Sequence, residues 1–110
     1  MKSKYGNKKT EIDGIKFDSK KEAAYYLKLK DDKKNNRIGK FDMQVEYELI
    51  PTIKRKGKPA VRGVKYYADF VVYNVDGSVD VIDTKGMKTP VYRLKKKMML
   101  YFHGVDIIEK

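Results

Sequence analysis

The chain contains no cysteine and a single histidine, His103. Without thiols it can form neither disulfides nor thiolate metal sites. No apolar run comes near the roughly 20 residues that a membrane span needs. None follows the basic opening at residues 1–9 either, so no signal peptide is expected, and a cytoplasmic location is. Acid is scarce beside base: 15 Asp and Glu stand against 26 Lys and Arg, giving a net charge of +11. So strong an imbalance favours a polyanionic partner, of which DNA and RNA are the commonest. The 110 residues suit one compact domain, and 41% hydrophobic residues suffice for one modest core.

Residues 1–10 carry four lysines and no acid and read as a flexible basic tail, which leaves residues 11–110 as a single domain. Ile12-Asp13-Gly14-Ile15 predicts a hairpin closed by a two-residue turn, because Asp-Gly tolerates positive φ at both central positions. Ser19 followed by Glu22 has the spacing of a capping box. It opens a helix whose stripe is Ala23, Tyr26 and Leu27, and which fades within residues 31–36. From Met43 to Ile50 apolar and polar residues alternate, so Met43, Val45, Tyr47 and Leu49 are expected to share one face of a strand. Residues 51–65 hold six Lys or Arg and no acid, and they read as a mobile basic loop. Two apolar strands follow, Tyr66 to Tyr73 and Val79 to Asp83. Thr89 and Pro90 then open a second helix. Its expected buried face is Val91, Leu94, Met98, Tyr101 and Phe102, and Gly104 ends it. A last strand is expected over Val105 to Ile108. The fold class is therefore α/β (α+β), in the order hairpin, helix, three strands, helix, strand.

Chemistry concentrates where Val79-Asp80-Val81-Ile82 runs into Asp83-Thr84-Lys85-Gly86. Three other Asp-x-Lys triplets begin at Asp18, Asp31 and Asp32, but they sit in polar surroundings at helix ends. Residues two apart on a strand point to one face, so Asp83 and Lys85 project side by side. The preceding strand carries Asp69 in an apolar run, where a carboxylate is costly to bury without a partner. A two-residue turn at Asp76-Gly77 would put Asp69 and Asp83 on opposite faces. A three-residue loop, Val75-Asp76-Gly77, would set them directly opposite each other. Asn74 before that loop and Gly77 at its end favour the second register. Two adjacent carboxylates with no thiol or imidazole favour Mg2+ or Mn2+, which can join water and phosphate. The plainer alternative is a structural pair neutralised by Lys85.

These residues resemble the PD-(D/E)xK nuclease superfamily. Asp69 takes the place of the first acid, with Ala68 where the name motif has proline, and Asp83-Thr84-Lys85 takes the place of the D-x-K half. Phe17-Asp18-Ser19-Lys20-Lys21-Glu22, Tyr67-Ala68-Asp69-Phe70 and Tyr92-Arg93-Leu94-Lys95 are similar to a small phage-encoded branch near the Holliday-junction resolvases. The resemblance implies a restriction-endonuclease-like core with a mixed central sheet flanked by helices. It implies a metal-dependent DNA endonuclease, acting in phage DNA recombination or processing in the bacterial host cytoplasm. Its catalytic residues would be Asp69, Asp83, Lys85 and Glu22. Its Mg2+ or Mn2+ ligands would be Asp69, Asp83, the backbone carbonyl of Thr84, and Glu22. A resolvase would further imply branched or junction DNA as substrate and a homodimer.

Some residues keep two readings. Glu22 is sufficiently explained as a helix cap. Gln44 is a candidate site residue or an exposed strand residue. Lys54, Arg55, Lys56, Lys58, Arg62, Arg93, Lys96 and Lys97 are candidate DNA contacts or solvated surface. His103, at a helix end, suits a contact with the helix dipole. At the level of function, a non-catalytic DNA-binding protein of the same fold and an RNA-binding protein compete with the nuclease. The RNA reading gives no reason for two opposed acids.

Overall fold

The computed structural model describes residues 9–84 and 88–110. Lys85 and nearly all of the expected basic tail lie outside the described residues. The first strand begins at Thr10, inside the segment assigned to that tail: β1 (Thr10–Ile12) pairs with β2 (Ile15–Phe17). The turn between them has φ of +54° at Asp13 and +76° at Gly14, as an Asp-Gly hairpin requires.

Helix α1 (Lys20–Lys34) starts at Ser19, whose hydroxyl accepts from the Glu22 N–H at 3.1 Å. Its buried side chains are Glu22, Ala23, Tyr26 and Leu29. Leu27 was expected on that stripe, but it is about half exposed and Leu29 takes its place. Glu22, Tyr26 and Leu29 recur at helical spacing, whereas Leu27 lies about 100° around the helix from Tyr26. The Tyr26 hydroxyl donates to Asp13 at 2.8 Å and ties the first hairpin to this helix.

Next come β3 (Ile38–Ile50), the short strands β4 (Ile53–Arg55) and β5 (Lys58–Val61), then β6 (Val64–Asn74) and β7 (Val79–Asp83). The stretch expected to be a mobile loop is thus an ordered hairpin, β4 against β5. Helix α2 (Pro90–His103) crosses over to β8 (Ile108–Glu109), which begins later than expected. The main sheet has the order β3-β6-β7-β8; its first two pairings are antiparallel and β7–β8 is parallel. A parallel neighbour needs a crossover, and α2 supplies it. The chain is a mixed α+β fold with a mostly antiparallel four-stranded sheet.

A helix covers each face of that sheet. Phe70, Val72 and Ile82 pack with Phe17, Ala23, Tyr26 and Leu29 on the α1 side. Tyr66, Ala68, Val71 and Val81 pack with Leu49, Met99 and Ile107 on the α2 side. Strict alternation along β3 fails in the middle. Met43 packs on the α1 side, and Val45, Tyr47 and Leu49 pack on the α2 side. Gln44, between them, has φ +50°, so the ribbon turns over at that residue.

Helix α2 has the predicted ends. Thr89 Oγ1 accepts from the Tyr92 N–H at 3.1 Å, Pro90 occupies the first turn, and Gly104 closes it in the left-handed region. Its buried face differs from expectation. Met99 is fully buried and Tyr92 and Met98 are partly so, while Val91, Leu94, Tyr101 and Phe102 are exposed. Periodicity locates apolar positions on a helix, but the sheet beneath decides which of them it covers. His103 anchors the far end through a 2.7 Å hydrogen bond to the Glu48 carbonyl and an edge contact with Tyr47. His103 also lies in the last turn of α2, where the expected dipole contact is made, and the bond to the neighbouring strand adds to it.

Candidate active site

The β6–β7 turn sets the register of the two strands that carry the acids. The Gly77 N–H donates to the Asn74 carbonyl at 3.0 Å and the Asn74 N–H to the Ser78 carbonyl at 2.8 Å, enclosing a three-residue loop. Gly77 has φ +91°, open to glycine and strained for other residues. The ladder then runs from Tyr73↔Val79 to Phe70↔Ile82. One step further in that register would set Asp69 opposite Asp83.

Both carboxylates are almost wholly buried, with exposures of 1% for Asp69 and 3% for Asp83. Burial at that depth requires polar partners. Asp69 Oδ2 accepts from the Thr84 N–H at 2.8 Å and from the Thr84 hydroxyl at 3.0 Å. Its Oδ1 accepts from Gln44 Nε2 at 3.2 Å. Asp83 Oδ2 accepts from the Tyr66 hydroxyl at 2.8 Å. Thr84 and Tyr66, both buried, therefore aim Asp69 and Asp83, whereas Gln44 is exposed.

Glu22 arrives from the first turn of α1, and it both caps the helix and joins the acids. Its Oε1 accepts from the Asp18 N–H and its Oε2 from Gln44 Nε2, each at 3.3 Å. Gln44 so links an acid on α1 to an acid on β6. Burial, and then the adjacent Asp69 charge, push the Glu22 carboxyl up to about 7. Burial and the bond to Asp83 likewise push the Tyr66 phenol well above the usual range.

A cavity of about 70 Å3 has Glu22, Gln44 and Asp69 in its wall, together with residues of β2 and Met43 and Phe70. That exceeds the space one water needs. Among the described residues no three His, Cys, Asp or Glu side chains are gathered tightly enough to hold an ion as they stand. The Gln44 amide lies between Glu22 and Asp69, where a cation would otherwise balance them. Glu22, Asp69 and Asp83 offer only oxygen donors, a set whose chemistry suits Mg2+ or Mn2+.

The structure thus groups Glu22, Gln44, Asp69 and Thr84, while Asp83, next to Thr84 in the chain, is held by Tyr66; Lys85 lies outside the described residues. The expected DNA contacts are dispersed. Lys54, Arg55, Lys56, Lys58 and Arg62 are exposed on or beside the β4–β5 hairpin, and Arg93 and Lys97 are exposed on α2. Lys96 is engaged with Glu109 at 3.4 Å. Two features escaped the sequence reading. Tyr66 looked like one more apolar strand residue, and nothing local marks it as the partner of Asp83. Thr84 was expected to contribute its backbone carbonyl, whereas its N–H and hydroxyl hold Asp69; a hydroxyl beside a buried acid is the signal in the sequence.

A family model described as "Protein of unknown function (DUF1064)" matches residues 2–107. No curated protein and no solved structure matches the chain.

Proposed function

The chain belongs to the DUF1064 family of proteins of unknown function, and we propose that it is a metal-dependent DNA endonuclease of the PD-(D/E)xK kind. One observation carries this reading: the β6–β7 register, continued one step past Phe70↔Ile82, sets the buried Asp69 opposite the buried Asp83, and Glu22 is linked to Asp69 through Gln44. Buried like charges are costly to keep together for structure alone. The helix, three strands, helix and strand around them are compatible with a restriction-endonuclease-like core.

In this reading Asp69, Asp83 and Glu22 hold Mg2+ or Mn2+, with the Thr84 carbonyl as a further ligand. Such an ion supplies Lewis-acid polarisation of a phosphodiester and lowers the pKa of a bound water. Thr84 fixes Asp69 through its N–H and hydroxyl, and Tyr66 fixes Asp83, so neither acid has to be ordered when substrate arrives. Glu22 releases its proton to become a ligand. Lys85, two residues beyond Asp83, serves to orient the water or to neutralise charge developing on the phosphate. The net charge of +11 attracts the DNA backbone. Phage recombination intermediates, four-way junctions among them, are the proposed natural substrates. A homodimer acting in the host cytoplasm completes the proposal. In such a dimer, the exposed Val91, Leu94, Tyr101 and Phe102 of α2, which share a helix face, are the apolar surface a second copy would cover.

The test is to incubate the protein with supercoiled plasmid and with a four-way junction, in Mg2+ or Mn2+, with and without chelator. Cutting is expected, and it is expected to vanish on chelation and in Asp83→Ala and Asp69→Asn. Tight binding without cutting in any metal would leave a non-catalytic DNA-binding protein of this fold.

A further inference from the structure

We propose that the β4–β5 hairpin is a rigid ribbon that enters the major groove of B-form DNA about one helical turn or less from the carboxylates. The site would thereby be directed to duplex flanks rather than to single strands. The position relative to a cut rests on the nuclease reading; the groove contact itself does not.

The hairpin has no packing role. Every residue from Ile53 to Val61 is exposed, including the two large apolar ones, Ile53 and Val61. A lone two-stranded hairpin is marginal in water, so its order has to come from local devices. Arg55 supplies one: its Nε and Nη2 both donate to the Pro59 carbonyl across the ribbon, at 3.0 and 2.9 Å. Gly63 supplies another at the base. A Cβ there would lie 2.2 Å from the Ile50 carbonyl oxygen and 2.8 Å from the Pro51 carbonyl carbon, so the two chain segments meet more closely than any other residue allows. The ribbon is thus held in shape before any partner arrives, which lowers the entropy cost of binding.

Its charge selects the partner. Lys65 is paired with Glu46 at 3.3 Å, but Lys54, Lys56, Lys58 and Arg62 make no ion pair among the described residues. Arg55 spends two of its N–H groups within the ribbon, so four cations remain for phosphates. The B-DNA major groove is about 12 Å wide and admits a two-stranded ribbon. The A-form groove of duplex RNA is too narrow for one. Reach follows from the strand. Gln44 touches Asp69, and the chain runs from there through Ile50 to the Lys56-Gly57 turn. At about 3.3 Å per residue that is a contour of at most about 40 Å, against about 34–36 Å for a turn of B-DNA.

The experiment is fluorescence anisotropy of the full chain in chelator, on a DNA duplex of about three helical turns, an RNA duplex of the same sequence and one DNA single strand. The comparison protein carries Lys54→Gln, Lys56→Gln, Lys58→Gln and Arg62→Gln, all surface changes. Loss of four phosphate contacts should reduce the slope of log affinity against log salt by about 3–4. Affinity for duplex DNA should fall at least about tenfold at moderate salt, with a clearly smaller loss on the other two probes. Trimming one flank of the duplex below about 10 base pairs should mimic the substitutions. Equal losses on all three probes, or no loss on duplex DNA, would overturn the proposal. Plasmid cutting with hairpin-independent binding would remove this inference and leave the nuclease standing. Hairpin-dependent duplex binding with no cutting in any metal would do the reverse.

Discussion

Gln44 sits in the left-handed region in the middle of a strand, and its amide bridges Glu22 and Asp69. A β-carbon in that conformation costs about 1–2 kcal/mol, so the surrounding structure holds the residue there. Backbone strain of this kind gathers at functional sites. Gln44→Gly and Gln44→Ala both remove the amide, but only glycine relieves the strain. Urea unfolding should find the glycine variant about 1 kcal/mol more stable than the alanine one; equal stabilities would mean that the backbone is not strained. Glu22 has a pH signature. Its carboxyl titrates at about 7 in the folded chain against an ordinary 4.5, because it is buried and faces Asp69. The folded state binds the extra proton, so this contribution to stability is full below 4.5 and is lost as pH rises through about 7. Thermal melts in chelator should therefore give a midpoint that falls across that window, and Glu22→Gln should flatten the dependence. An unchanged slope in that variant would remove Glu22 as its source.

The elements repeat this contrast between local signals and distant partners. Ends and turns follow short-range chemistry, and the sequence already displays it: Ser19 and Thr89 cap the helices, Gly104 closes α2, and Asp13-Gly14 and Asn74 to Gly77 make the turns. The register that opposes Asp69 and Asp83 was legible for the same reason, since loop length sets hairpin register. Buried faces were less legible. Leu29 replaced Leu27 on α1. On α2 the expected Val91, Leu94, Tyr101 and Phe102 gave way to Met99, which is 0% exposed. Helix α2 therefore depends heavily on one side chain. Met99→Ala should cost about 2–5 kcal/mol by chemical denaturation, the usual range for emptying a packed methionine site. A cost below about 1 kcal/mol would show that the helix is held by its caps and by His103 instead.

At the scale of the whole molecule, an excess of 26 basic over 15 acidic residues surrounds a small group of buried acids. Under the proposed nuclease reading, binding a polyanion would relieve repulsion among the surface cations, and the acids would need a cation of their own to meet phosphate. The exposed stripe of α2 bears on assembly. Under the resolvase reading, sedimentation equilibrium should give twice the chain mass, and Tyr101→Glu with Phe102→Glu should return it to a monomer. A wild-type monomer at all concentrations would remove the dimer from the proposal.

The sequence by itself determined the order of the main elements, the caps, the turns and the register of β6 against β7, because each depends on residues close along the chain. Only the tertiary structure decided which helix face is buried, that residues 53–61 form an ordered ribbon, that Thr84, Gln44 and Glu22 meet Asp69, and that Tyr66 meets Asp83. Those outcomes depend on which surfaces meet across the fold. The turnover of the β3–β6 ribbon at Gln44, a single backbone torsion with no marker in the residue type, helps to set that meeting.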